Sequence, residues 1–293
     1  MSKFYGTGIA IITPFKEDLS VDHDALSKIV EYNISNGVDY IVISGTTGES
    51  VTTSRAEKKE IIQTIKATNN SRVPLVMGIG GNNTSSIIDE IKNTGLEGID
   101  AILSVSPYYS KPTQEGIYCH FEAISKESPL PLIIYNVPGR TSSNILPETT
   151  LKLARDFDNI IGVKEAGNNV AQYLKLLKDK PDDFLVISGD DDLALGVVLA
   201  GGAGVISVLG QGVPKEFCKM IKLGLEGKAK EAYEIHFKLM DLTSLIFAEN
   251  NPAGIKAVLS KLGYCDNRLR LPLVPASDDL ISKILHALDK LGY

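Results

Sequence analysis

Ile160-Ile161-Gly162-Val163-Lys164-Glu165-Ala166 is a short apolar run that stops at a lysine. It lacks the apolar–polar alternation of a strand with one wet face. It therefore reads as a strand buried on both faces, as in a parallel sheet. Seven other runs share this character: Gly8-Ile9-Ala10-Ile11-Ile12-Thr13, Tyr40-Ile41-Val42-Ile43, Leu75-Val76-Met77-Gly78-Ile79, Ala101-Ile102-Leu103-Ser104-Val105, Leu132-Ile133-Ile134-Tyr135, Phe184-Leu185-Val186-Ile187 and Gly204-Val205-Ile206-Ser207-Val208. Amphipathic stretches alternate with them. In 22–35, Leu26, Ile29, Val30 and Ile34 recur at helical spacing behind a capping Asp22. Further helices are expected at 56–68, 85–93, 114–126, 147–155, 170–178, 193–200 and 214–225.

Eight strand–helix repeats within about 225 residues predict an α/β fold, a (β/α)8 TIM barrel. A doubly wound open sheet is the alternative. No GxGxxG opens the first helix, and Gly78-Ile79-Gly80-Gly81 is only a partial match in a turn. Beyond the eighth unit the pattern changes to helical segments at 227–250, 252–262 and 277–291 with no strand between them. The chain is thus read as a barrel over 1–225, carrying the chemistry, and a C-terminal helical extension over 226–293.

The 293 residues carry a net charge of −6, which argues against a nucleic-acid surface. Three distant cysteines without a CxxC fit a reducing compartment. Four histidines at unrelated spacings offer no metal site. Met1-Ser2-Lys3-Phe4 has no signal-peptide core, and no run approaches the ~18 apolar residues of a membrane span. A cytoplasmic protein is expected.

The site of such a barrel lies where the strands end at their carboxyl side. Gly45-Thr46-Thr47-Gly48-Glu49-Ser50 follows the second strand and Pro107-Tyr108-Tyr109 the fourth. Tyr135-Asn136-Val137-Pro138-Gly139-Arg140-Thr141 ends the fifth, Lys164 the sixth and Gly189-Asp190-Asp191-Asp192 the seventh. Each has a plain structural use. Gly-Thr-Thr-Gly suits a turn with a helix cap, Tyr-Asn-Val-Pro suits a turn, and Asp191 and Asp192 suit helix capping. Lys164 can leave the sheet for solvent or pair with Glu165. Taken together they offer an amine, a phenol, hydroxyls and an arginine to one cavity, which is what Schiff-base chemistry requires. An amine held out of water is penalised in its charged form, and the neutral amine attacks carbonyl carbon. A phenol among hydroxyls relays protons, and an arginine fork grips a carboxylate. Gly201-Gly202-Ala203-Gly204 precedes the eighth strand and looks structural, which favours carboxylate over phosphate substrates.

The Gly45–Ser50, Tyr135–Thr141 and Gly162–Ala166 motifs, in this order, resemble the dihydrodipicolinate synthase family nearly end to end. The resemblance implies a class I aldolase-type lyase of the diaminopimelate route to lysine. It would condense pyruvate with L-aspartate 4-semialdehyde, without metal or organic cofactor. By motif match Lys164 forms the Schiff base and Tyr135 is the general acid/base. Thr46 and Tyr109 complete a proton relay, with Tyr109 reaching in from a neighbouring subunit. Thr47 holds the pyruvate carboxylate, Arg140 the semialdehyde carboxylate, and Ile206 and Gly189 line the pocket. A homotetramer built as a dimer of dimers is implied, with no nucleic-acid or membrane partner. N-acetylneuraminate lyase and 2-keto-3-deoxy sugar acid aldolases share the lysine and tyrosine. They are expected to lack an arginine placed like Arg140 and to differ at Thr46-Thr47. Lysine feedback is expected to be weak, because Arg55, Lys58 and Ser86 stand where sensitive relatives carry histidines and a glutamate. An inhibition constant near the physiological lysine concentration contradicts this.

Overall fold

The eight apolar runs close into one parallel barrel whose strands pair in sequence order in a computed structural model of the chain, which describes residues 3–293. Met1 and Ser2 of the N-terminal reading lie outside the described residues. The strands are β1 (Gly6–Ala10), β2 (Tyr40–Ile43), β3 (Leu75–Gly78), β4 (Ala101–Val105), β5 (Leu132–Asn136), β6 (Ile160–Glu165), β7 (Leu185–Ser188) and β8 (Gly204–Ser207). Between them run α1 (His23–Ser35), α2 (Arg55–Asn69), α3 (Thr84–Asn93), α4 (Gln114–Glu127), α5 (Pro138–Thr141), α6 (Pro147–Asp156), α7 (Val170–Asp179) and α8 (Ala194–Leu199). After β8 come a 3-10 turn (Leu209–Gln211), α9 (Pro214–Leu225), α10 (Ala229–Phe247), α11 (Ala253–Lys261) and α12 (Asp278–Leu291).

Two local readings change. β1 starts and ends earlier than the apolar run suggests, because Ile12 gives its amide to the Gln211 side chain at 2.9 Å instead of to a strand. The segment read as a turn at Pro138 is a short helix, with proline at a first-turn position that needs no N–H donor. Asp22 caps α1 as expected, accepting from the Ala25 amide at 3.0 Å.

Successive residues of a strand face opposite sides, and this sorts the core into two. Val42, Val76, Leu103, Ile133, Ile187 and Ile206 belong to a cluster filling the barrel, plugged at its amino-terminal end by Phe4 and Tyr40. Ile43, Met77, Ile102, Ile134, Val163 and Val186 belong to the larger cluster between strands and helices. Since Val163 faces the helices, Lys164 faces the barrel axis. In α10–α12 the buried Leu239, Leu242, Ile246, Val258 and Leu280 join that outer core, so the extension packs on its own barrel. No helix among the described residues is long and apolar enough to cross a membrane.

Candidate functional site

A cavity of about 840 Å³ opens at the carboxyl ends of the strands. Lys164, Tyr135, Thr46, Thr47, Arg140 and Gly189, all singled out from the sequence, line it. Strand register explains the first pair: Tyr135 of β5 lies opposite Lys164 of β6. Parallel neighbours in register point to the same side, and Lys164 Nζ lies 4.3 Å from the centre of the Tyr135 ring. Lys164 is only 6% exposed, so it neither reaches bulk solvent nor pairs with Glu165. Glu165 turns to the other side, where its carboxylate accepts from Asn136 and Gln172. Burial pushes the Glu165 carboxyl up to about 7 against those donors.

Gly189 is what admits the lysine. A Cβ there would lie 2.7 Å from the Ala166 methyl and 3.0 Å from Lys164 Cε. Gly78 serves the threonine loop: its missing Cβ would meet the Ser44 carbonyl at 2.5 Å, where the chain leaves β2 with Ser44 at φ 56°. Thr47 is buried and accepts from Asn251 Nδ2 at 2.9 Å, while Thr46 is open to the cavity mouth. Exposed Arg140, on α5, gives Nη2 to Asn250 Oδ1 at 3.5 Å.

Two expectations, those for Ile206 and for Asp191 and Asp192, meet a different arrangement. Ile206 is fully buried inside the barrel and is not among the lining residues, and Val208, just past β8, supplies the wall there. Tyr109 does not line the cavity of its own chain: it is 89% exposed, with φ 70°. Asp191 and Asp192 do not cap α8, whose N-cap position is Leu193 with no side-chain bond. Asp191 instead accepts from the amides of Val208 and Leu209 at 3.1 and 2.9 Å, at the start of the 3-10 turn.

The sequence reading passed over the wall contributed by the extension, which is Thr243, Ser244, Phe247, Asn250 and Asn251. The Asn-Asn-Pro at 250–252 signals a turn, but not one that reaches residues two hundred positions earlier. It also passed over a buried ion pair behind the threonine loop. Lys256 of α11, fully buried, donates to Glu49 at 2.5 Å and to the Arg268 carbonyl at 2.7 Å. At the rim, Lys58 pairs with Glu90 at 3.3 Å.

The comparisons with known proteins point to one family. A family model described as the dihydrodipicolinate synthetase family matches residues 3–291. A 4-hydroxy-tetrahydrodipicolinate synthase of Flavobacterium psychrophilum is 55% identical over 97% of this chain and 97% of its own. One from Parabacteroides distasonis is 49% identical over 98% of this chain and 97% of its own. Among solved structures, a dihydrodipicolinate synthase from Thermotoga maritima superposes with a TM-score of 0.97 at 37% identity, covering 99% of both chains. A monomeric dihydrodipicolinate synthase variant superposes at 0.96 and 37% identity, covering 99% of this chain and 97% of its own.

Proposed function

The chain belongs to the dihydrodipicolinate synthetase family, and from that premise we propose that it is a 4-hydroxy-tetrahydrodipicolinate synthase. It joins pyruvate to L-aspartate 4-semialdehyde on the diaminopimelate route to lysine. The observation that carries the reading is one amine, nearly dry and stacked on a phenol, at the floor of a cavity that also holds two threonines and an arginine.

Lys164 attacks the ketone of pyruvate, and the carbonyl oxygen leaves as water. The resulting iminium acidifies the methyl protons, so loss of one gives the enamine that attacks the aldehyde. The iminium is itself the electron sink, and the step asks for no metal or organic cofactor. Tyr135, against the amine, acts as the acid and base, with Thr46 as the next hydroxyl. Thr47, steadied by Asn251, takes the pyruvate carboxylate, and Arg140 at the mouth takes that of the semialdehyde. Gly189 leaves space beside Lys164, and Ile206 supports the floor from beneath.

We assign the enzyme to the cytoplasm as a dimer of dimers, with neither nucleic acid nor membrane as partner. In support, apolar Val170, Leu174, Phe237 and Met240 of α7 and α10 are each about half exposed or more on one chain. Lysine feedback is held to be weak, because Arg55, Lys58 and Ser86 replace the histidines and glutamate of sensitive relatives, with Lys58 itself paired to Glu90.

Borohydride trapping with pyruvate, read by intact mass, tests the assignment. The wild type acquires the mass of a reduced pyruvyl group and Lys164→Ala does not. Arg140→Ala still traps pyruvate yet loses turnover with the semialdehyde by roughly a hundredfold, the scale of a lost charged anchor. An unchanged adduct on Lys164→Ala overturns the assignment.

A further inference from the structure

The corner between α10 and α11 touches both carboxylate anchors, and it belongs to the extension rather than to the barrel. Asn250 and Asn251 both line the cavity. Asn251 is 5% exposed, and its Nδ2 donates to Thr47 Oγ1 at 2.9 Å. Its Oδ1 is buried with no partner. A buried amide left half-satisfied is costly, and the one side-chain bond it keeps is with a substrate anchor. Asn250 Oδ1 accepts from the Asn251 backbone N–H at 2.8 Å and from Arg140 Nη2 at 3.5 Å.

The corner is held from outside the cavity. Gly254 lets α11 lie against the last turn of α10, since a Cβ there would meet the Ile246 carbonyl oxygen at 2.4 Å. Glu249 accepts from the Ser277 backbone N–H at 2.7 Å, at the start of α12. Asn250 sits at φ 84°, in the left-handed region that asparagine enters more readily than most residues.

We propose that Asn250 and Asn251 are positioning residues: one rigid corner that aims the Thr47 hydroxyl at the pyruvate carboxylate and the Arg140 guanidinium at the semialdehyde carboxylate. The inference rests on the assignment of those two anchors above. A threonine hydroxyl has a single proton. Asn251 donates to Thr47, so that proton is left for a substrate oxygen, and among the described residues no group accepts it. Arg140 carries its N–H donors on a flexible stem. Asn250 engages one of them and leaves the rest to the substrate. Setting both anchors from one corner fixes the spacing of the two bound carboxylates, and with it the approach of the enamine carbon to the aldehyde.

The test is a crossed pair of isosteric substitutions, with KM measured for each substrate while the other saturates. In Asn251→Asp the new carboxylate accepts the Thr47 proton and faces the charge of pyruvate. KM for pyruvate should rise by about tenfold or more, the scale of a hydrogen bond to a charged group, with KM for the semialdehyde unmoved. Asn250→Asp keeps an acceptor for the Asn251 N–H but ties up Arg140, so the semialdehyde KM should rise by about tenfold while half-saturation of borohydride trapping by pyruvate stays put. Asn251→Ala and Asn250→Gly remove the contacts without adding charge and should reproduce the split in smaller measure. A merely structural corner would lower the melting temperature and move both KM values together. That outcome, or unchanged KM values, overturns the proposal alone, whereas a wild type that fails to trap pyruvate overturns the Schiff-base reading and the proposal with it. If Asn251→Asp does not fold, Asn250→Gly decides: its effect on the semialdehyde KM should vanish in an Arg140→Ala background, and an effect that persists there overturns the proposal.

Discussion

Lys164 and Glu165 are adjacent, yet one faces the cavity and the other a ring of amides, because a strand alternates faces at every residue. The position of Glu165 has a consequence for stability. Its folded carboxyl titrates at about 7 against an ordinary 4.5, with burial the main cause. A raised carboxyl favours the protonated form in the folded state. Stability from this group is therefore full below pH 4.5, falls as the unfolded chain releases the proton, and levels off above 7. The loss is at most about 3.5 kcal/mol, each pH unit between the two values amounting to ~1.4 kcal/mol. Glu165→Gln cannot titrate. Urea unfolding at pH 5 and pH 8 should show wild type losing stability relative to the variant across that interval. Parallel behaviour of the two proteins would remove burial as the governing effect.

At the scale of elements, the threonine loop is held from behind by α11 and the segment after it. Glu49 accepts from buried Lys256 and from the Arg270 amide at 3.1 Å, and Arg270 also donates to the Thr52 carbonyl at 2.8 Å. Burial lowers the Lys256 amine and the Glu49 charge supports it. Removing one partner strands a buried charge, at a cost of about 3–5 kcal/mol. Lys256→Met should therefore lower the melting temperature sharply and raise KM for pyruvate, since Thr47 sits in the loop that Glu49 closes. Lys256→Met with Glu49→Gln should regain much of both. A double variant no better than the single would mean that the pair does not position the loop.

These anchors mark where the sequence stops being legible. The barrel was readable because eight buried strands each leave an unbroken apolar run. Lys164, Tyr135, Thr46, Thr47 and Arg140 were readable because each ends such a run or lies in the loop after it, and parallel strands deliver their ends to one face. Lys256–Glu49 and Asn251–Thr47 join residues 207 and 204 positions apart, and no local period carries that pairing. Asp191 looked like a cap for the helix beside it, but the amides it serves lie 17 and 18 residues on. Ile206 has the right parity for the interior, but it lies below the cavity, and the wall on this side comes from Val208, just past the end of β8.

For the whole molecule, Tyr109 raises the question of how many chains make one site. A phenol 89% exposed at φ 70°, absent from its own cavity, has no packing role in a single chain. If it completes the proton relay of a second copy, the contact is reciprocal, as a two-fold interface requires. Lys164→Ala and Tyr109→Ala should then each be inactive or severely impaired when made alone. Co-expressed, they form mixed dimers in which one site lacks both groups. The other site combines an intact Lys164 from one chain with an intact Tyr109 from its partner. With random pairing about half the dimers are mixed, and each regains one of two sites, so activity should recover to about a quarter of wild type. A relay contained within one chain gives no such recovery, because no chain in the mixture carries both residues. Tandem affinity tags on the two variants isolate the mixed dimer, and its activity per site separates the two arrangements.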